Sequence, residues 1–68
     1  MKTYTLTYKS SREAVEFVVV MDATSLSHVI THARQNLDVV HANTEEGVTL
    51  TYTIHRNGEL VWEESCTK

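Results

Sequence analysis

The sequence has one cysteine, no proline and two glycines among its 68 residues. Because Cys66 is alone, a disulfide within the chain and a cysteine-based zinc knuckle are both excluded, a pattern typical of a reducing cytosol. No glycine-rich phosphate loop is present, since Gly47 and Gly58 are better explained as turn residues. A core this small supplies only about 3 to 5 kcal/mol, and small proteins often add stability through a partner subunit.

Long apolar runs are also lacking. The run at residues 18–21 is far shorter than the roughly 20 residues that span a bilayer. Residues 1–8 alternate polar and apolar side chains, whereas a signal peptide would be continuously apolar. These patterns predict a cytoplasmic protein with no membrane role.

Charge is mildly negative and unevenly distributed, with a formal net charge of -3. The first 34 residues carry four basic and three acidic side chains, whereas the last 34 carry two basic and six acidic ones. A duplex-binding protein needs a basic stripe that neutralises phosphates, and none is evident. Direct nucleic-acid binding is therefore disfavoured, although the basic residues Lys2, Lys9, Arg12 and Arg34 leave a small nucleic-acid-binding protein as an alternative.

Two strands are predicted in the N-terminal part of the chain. Residues 3–8 alternate threonine with Tyr4, Leu6 and Tyr8, which is the period of a half-buried strand. After a polar turn, residues 14–21 are typical of a β-branched second strand. Its core face would carry Val15, Phe17, Val19 and Met21.

An amphipathic helix is predicted over residues 25–37. Thr24 and Ser25 are candidate N-caps, and Asp22 lies near the positive end of the helix dipole. Apolar residues recur at the spacing i, i+3, i+4, i+7 and i+11, and they form one stripe along the helix: Leu26, Val29, Ile30, Ala33 and Leu37. This stripe is expected to face the sheet.

Three more strands are predicted in the C-terminal part. Residues 39–44 are ambiguous between a short strand and an irregular return, and we favour the strand. Residues 48–55 alternate apolar and polar side chains, which clearly predicts a half-buried strand. The Asn57-Gly58 dipeptide is typical of a two-residue type I′ hairpin, but that register would scatter the apolar residues of the last strand onto the wrong face.

We therefore predict a three-residue loop at residues 56–58 with a bulge at Gly58. This register pairs His55 with Glu59, Ile54 with Leu60 and Tyr52 with Trp62. It places every second side chain on the solvent side, namely Thr49, Thr51, Thr53, His55, Glu59, Val61 and Glu63.

The predicted architecture is an α+β fold in one domain, residues 1–68. A single antiparallel β-sheet carries one helix packed on one face, in the order β-β-α-β-β-β. The free edges of such a sheet, and its threonine-rich open face, can add a strand from a partner or from a second copy of the chain.

No constellation of catalytic residues is found, and neither a metal nor another cofactor is expected. His28 and His32 are four residues apart, a spacing that can hold a metal ion, but both lie opposite the apolar stripe. No carboxylate or cysteine in the helix completes such a site. General acid/base catalysis also needs a pocket, and one helix on a small sheet offers little concavity. The sequence therefore predicts a non-enzymatic protein.

Partner-binding residues are predicted on the last strand. Trp62 falls on a predicted core face near the sheet edge, where aromatic side chains are common interface hot spots. Glu59, Glu63 and Glu64 are ordinarily read as a solvated surface. A more specific hypothesis is that they form an acidic patch, which competes with nucleic acid for a basic groove on a partner.

Two segments carry a resemblance to a known group of proteins. Residues 22–28 open the helix, and residues 57–66 form the last hairpin with its tryptophan. In order and pattern, over about residues 14–66, the chain resembles small bacteriophage proteins that inhibit host defences, above all the short anti-CRISPR inhibitors of type I-F surveillance complexes. Those inhibitors can use basic residues, whereas the second half of this chain is acidic, so no contact residue is carried over.

The resemblance implies a phage or mobile-element inhibitor in the host cytoplasm. Such an inhibitor binds a host defence protein, for example in a CRISPR effector complex, and occludes nucleic-acid pairing or nuclease recruitment. The alternatives are a homodimeric structural or regulatory module and the small nucleic-acid-binding protein noted above.

Overall fold

Four strands and one helix form the computed structural model of the chain, which describes residues 1–12 and 16–67. In chain order they are β1 (Lys2–Ser10), β2 (Phe17–Ala23), α1 (Leu26–Ala42), β3 (Thr49–Arg56) and β4 (Glu59–Thr67). The strands make one antiparallel sheet in the spatial order β2-β1-β3-β4. The α+β class with one antiparallel sheet and one helix is confirmed, but the order is β-β-α-β-β and the predicted fifth strand is wrong.

Most of the segment predicted as that fifth strand, residues 39–42, belongs to the helix. Its valines suggested a strand, yet α1 continues through them to Ala42. The side chains of Asn43 and Thr44 bond the carbonyls of Val39 at 2.9 Å and Val40 at 2.6 Å, so they satisfy acceptors that a helix C-terminus leaves free. Local β propensity is weak in comparison with this continuous hydrogen bonding and capping.

The N-terminal hairpin has the predicted strands with shifted boundaries. Tyr4 and Leu6 are buried and stand opposite Met21 and Val19, which pack against the core. Phe17 was predicted in the core, but it is 67% exposed at the start of the edge strand β2. The predicted β2 residues 14 and 15 lie outside the described part of the chain.

The helix buries the stripe that the sequence predicts. Val29, Ala33 and Leu37 are buried, and the hydroxyl of Ser25 accepts a hydrogen bond from the backbone N–H of His28 at 3.4 Å, which identifies Ser25 as the N-cap. The core between helix and sheet comprises Tyr4, Leu6, Ala23, Val29, Ala33, Leu37, Val48, Leu50, Tyr52 and Ile54.

The C-terminal hairpin differs from the predicted register. Asn57 and Gly58 both have positive φ, 54° and 78°, as a two-residue type I′ turn requires. The register shift lies further along, between Ile54 and His55, where Val61 is the extra residue on β4. The three-residue loop is therefore wrong.

This bulge restores the apolar pattern after the tight turn. His55 stands opposite Leu60, but Ile54 stands opposite Trp62 and Tyr52 opposite Glu64. The predicted pairs Ile54–Leu60 and Tyr52–Trp62 are thus replaced. Val61, predicted on the solvent side, is half-buried and packs against the core.

Candidate binding surface on strand β4

The predicted partner-binding residues all lie on β4, an edge strand of the sheet. Trp62 and Glu64 stand opposite buried residues of β3, so they share the face that carries α1. Glu63 stands opposite Thr53 on the other face, and Glu59 stands opposite Arg56 beside the turn. The three glutamates are thus divided between two faces of the sheet and do not form one continuous patch.

Glu64 is held by a residue of the helix. Its two carboxylate oxygens accept hydrogen bonds from Nε and an Nη of Arg34, at 2.9 and 2.7 Å. This fork-to-fork arrangement gives the contact a defined direction as well as charge attraction. Arg34 thereby connects the helix to a strand at the far edge of the sheet.

Two aromatic side chains extend this network. The hydroxyl of Tyr52 donates to Oε2 of Glu64 at 2.8 Å, and Nε1–H of Trp62 donates to that same hydroxyl at 3.2 Å. Tyr52 is fully buried. The indole of Trp62 is therefore fixed in orientation by a hydrogen bond to the core.

Ionisation within the network follows from these contacts. The hydrogen bonds from Arg34 and Tyr52 lower the pKa of Glu64 to about 2. Burial, together with the hydrogen bond to the Glu64 carboxylate, raises the pKa of Tyr52. Glu64 therefore remains ionised near neutral pH, and its charge is already matched within the molecule.

Trp62 remains accessible although its indole nitrogen is bonded. The helix packs against β2 and β3, and the Trp62 residue is 37% exposed on the neighbouring strand. Leu60 is half exposed, and within the described residues Glu59 and Glu63 are exposed and take part in no ion pair. We call Glu59, Leu60, Trp62 and Glu63 the β4 surface.

Sequence reasoning missed Arg34 and the polar role of Tyr52. Arg34 was assigned only to a basic N-terminal group, and Tyr52 only to the core. One signal was available for Arg34, since it follows Ile30 by one helical turn and so borders the apolar stripe. Its partner on β4 depends on the bulge at Val61, which the sequence pattern did not indicate.

The four basic residues considered for nucleic acid are mostly paired with carboxylates. Lys9 contacts Glu16 at 3.1 Å, Arg12 contacts Glu45, and Arg34 contacts Glu64. The fourth residue is Lys2, on β1. Their positive charge is therefore partly balanced at each of these three points.

The two helix histidines do not join a larger group of ligands. His28 is exposed, and Nε2 of His32 lies 3.2 Å from Nδ2 of Asn36. Across residues 1–12 and 16–67, no three side chains of the His, Cys, Asp and Glu types come together as metal ligands. No helix in these same residues is long and apolar enough to cross a membrane.

A groove of about 440 Å³ lies between the second half of α1 and the sheet. Its lining is mainly apolar, and its polar members are Lys9, Ser10, Asn36 and the Tyr8 phenol. Within the described residues the hydroxyl of Tyr8 has no hydrogen-bond partner. The described lining brings no acid and base into a catalytic pair.

Comparison with protein-family models, with curated protein sequences and with solved structures finds no match for this chain.

Proposed function

We propose that this chain is a non-enzymatic protein that binds another protein through the β4 surface. The observation that carries the proposal is the state of Trp62, which is fixed by its hydrogen bond to Tyr52 while more than a third of the residue is exposed. A rigid, partly exposed tryptophan is a typical interface anchor, because little conformational entropy is lost when it is covered.

The composition of the β4 surface favours a partner with a basic surface. Glu59 lies beside the turn, and Glu63 lies on the opposite face of the same edge strand. Both are exposed and take part in no ion pair within the described residues, so a partner that covers the edge of β4 can place lysine or arginine against them. An arginine can also stack on the indole face. Glu64, in contrast, acts as a support for the anchor rather than as a contact, because Arg34 and Tyr52 occupy its carboxylate.

The specific form of the proposal is a phage or mobile-element inhibitor that acts in the host cytoplasm on a defence protein, such as a subunit of a CRISPR effector complex. The resemblance of the helix start and the last hairpin supports this form. Charge supports it too, since a partner groove that normally holds nucleic acid is basic and complements Glu59 and Glu63. The pairing of Lys9, Arg12 and Arg34 with carboxylates favours a protein partner over direct nucleic-acid binding.

Affinity capture with matched variants tests the proposal. The tagged chain is incubated with bacterial lysate, with and without nuclease, and retained proteins are identified by mass spectrometry. The best candidate is then purified, and its affinity for the wild-type chain and three variants is measured by calorimetry. Trp62→Ala and Glu63→Lys change the β4 surface, whereas Asp38→Lys makes the same charge change at an exposed helix position.

A binding protein of the proposed kind is retained after nuclease treatment and forms a stoichiometric complex. Trp62→Ala should weaken that complex by at least about 2 kcal/mol, the value typical of a hot spot, and Asp38→Lys should leave it unchanged. If both β4 variants bind as tightly as the wild type, the β4 surface is not the binding site. If only nucleic acid is captured and nuclease removes it, the nucleic-acid-binding alternative replaces the proposal.

A further inference from the structure

The two edges of the sheet differ in how they are protected against pairing. Edge strands of monomers usually carry charges or a bulge that hinder the addition of another strand. β4 has both, with the bulge at Val61 and three glutamates along its length. β2 has neither within Phe17 to Met21, which are five consecutive uncharged, apolar residues.

Three exposed large apolar side chains of the described residues also lie on β2. Phe17 is 67%, Val18 55% and Val20 64% exposed. Phe17 borders the groove beside α1, where the exposed Val39 and Val40 also lie. A contiguous apolar surface therefore extends from the open face of the sheet around the β2 edge to the helix.

We propose that β2 pairs with β2 of a second copy of this chain, antiparallel, about a two-fold axis that passes near Val19. A second copy is the occupant that the residue pattern favours, because the strand is complementary to itself in this register. Val19 then faces its own equivalent, Val18 faces Val20, and Phe17 faces Met21. All five positions form apolar pairs, and pairs of apolar and β-branched residues are favourable across strands.

Neighbouring registers match less well. Moving the axis to Val20 places Val18 opposite Asp22, and moving it to Val18 places Glu16 opposite Val20. Each of these registers puts a carboxylate against a valine that would otherwise be covered by an apolar residue. Of these three registers, only the one with the axis near Val19 places no carboxylate opposite a residue of the apolar segment.

In the favoured register the ends of the segment carry one unfavourable feature. Continued by one residue beyond β2, this register brings Glu16 of one copy opposite Asp22 of the other, twice in the dimer. Each carboxylate already has a partner within its own copy, since Glu16 contacts Lys9 at 3.1 Å and Asp22 accepts from Thr3 Oγ1 at 2.6 Å. This pair of carboxylates makes the register testable by charge reversal.

Pairing of this kind produces one sheet of eight strands. The axis is perpendicular to the sheet, so both helices lie on the same face and the two β4 strands form its outer edges. Each dimer would then present two β4 surfaces at opposite ends. The dimer does not depend on the function proposed above, and either can fail without the other. A seven-residue edge makes a small interface, so we expect a dimer in exchange with monomer.

Sedimentation velocity of the full chain tests the dimer over a concentration series from about 1 μM to about 1 mM, the range in which weak specific complexes dissociate. The wild type should shift from monomer to dimer with concentration. Val20→Lys should weaken the dimer by about tenfold or more, because it places a lysine opposite Val18 in both halves of the interface. Ser65→Lys is the matched control at an exposed position of the other edge and should leave the dimer unchanged.

Circular dichroism of each variant establishes that it is folded, and Val18→Lys replaces Val20→Lys if the latter is not. Asp22→Lys reports on the register, since it turns two unfavourable carboxylate pairs into two attractive ones and should strengthen the dimer several-fold. A wild type that stays monomeric over the whole series overturns the proposal. So does a dimer that resists both valine variants, a dimer lost with Ser65→Lys, or growth into open-ended polymers. A dimer weakened by Asp22→Lys overturns the register.

Discussion

Removal of the Tyr52 hydroxyl should destabilise the fold although no carbon is lost from the core. This hydroxyl donates to Glu64 at 2.8 Å and accepts from Trp62 at 3.2 Å. A hydrogen bond to a charged group is worth about 1.5 to 3 kcal/mol when it is well shielded. Glu64 keeps Arg34 and is partly accessible to water, as is Trp62, so we expect Tyr52→Phe to cost about 1 to 2 kcal/mol.

Urea unfolding measures this cost, and Trp62 is a convenient probe because it is the only tryptophan in the chain. A domain of this size loses about 1 kcal/mol of stability per molar urea, so the midpoint should fall by about 1 to 2 M. The emission of folded Tyr52→Phe should also differ from that of the wild type, since the indole N–H loses its acceptor.

Tyr8→Phe is the matched control for the chemical change. The hydroxyl of Tyr8 has no hydrogen-bond partner within the described residues, and it is shielded from solvent. Its removal should therefore leave stability unchanged or increase it, because a buried hydroxyl without a partner is unfavourable. A loss of stability for Tyr52→Phe without a loss for Tyr8→Phe would separate the effect of the hydrogen bonds from the general effect of removing an oxygen.

A double-mutant cycle identifies the partner. In a Glu64→Gln background, Tyr52→Phe should cost less than in the wild type, because the charge-assisted part of the hydrogen bond is already gone. If Tyr52→Phe changes the free energy of unfolding by less than about 0.3 kcal/mol, or if Tyr8→Phe lowers it equally, the hydrogen bonds of the Tyr52 hydroxyl do not stabilise the fold.

Two further predictions concern the same part of the molecule. Ile54→Ala should lower the free energy of unfolding by about 2 to 5 kcal/mol in urea melts, since Ile54 is fully buried. Trp62→Ala should lower it by roughly 1 to 2 kcal/mol, because Trp62 is partly exposed. Equal losses would contradict the edge position of Trp62. The pKa of Glu64 is lowered from 4.5 to about 2, so its contribution to stability is complete above pH 4.5 and is lost as the pH falls towards 2. Thermal melts across this range should show a smaller acid-induced loss for Glu64→Gln than for the wild type, and parallel losses would exclude the ion pair as the cause.

Local patterns in the sequence were sufficient for most of the elements. The alternation of Tyr4 and Leu6 predicted β1, and the spacing of Val29, Ala33 and Leu37 predicted the buried stripe of α1. Ser25 was one of two candidate caps and is the one observed. These features succeed because each depends on neighbours within one strand or one helical turn.

The errors arose where the β preference of single residues is outweighed by hydrogen bonding over the next helical turn, or where the sheet departs from a regular ladder. Val39 and Val40 favour a strand locally, but helical hydrogen bonding and the caps at Asn43 and Thr44 extend α1 through them. The Asn57-Gly58 dipeptide favours a two-residue turn, but a regular ladder after that turn would place Trp62 on the solvent face. The bulge at Val61 reconciles the turn with the pattern, and it has no signature in a sequence of β-favouring residues.

The sequence by itself determined the α+β class, the two hairpins, the helix and which residues could enter a core, because hydrophobic periodicity is a local property of the chain. Only the tertiary structure decided which strands became edges, and with them the exposure of Phe17 and Trp62. It also decided that Glu64 is paired with Arg34, thirty residues away along the chain. Strand order and bulge placement are long-range choices, so the surfaces with which this protein can meet a partner or a second copy emerge only when the sheet is assembled.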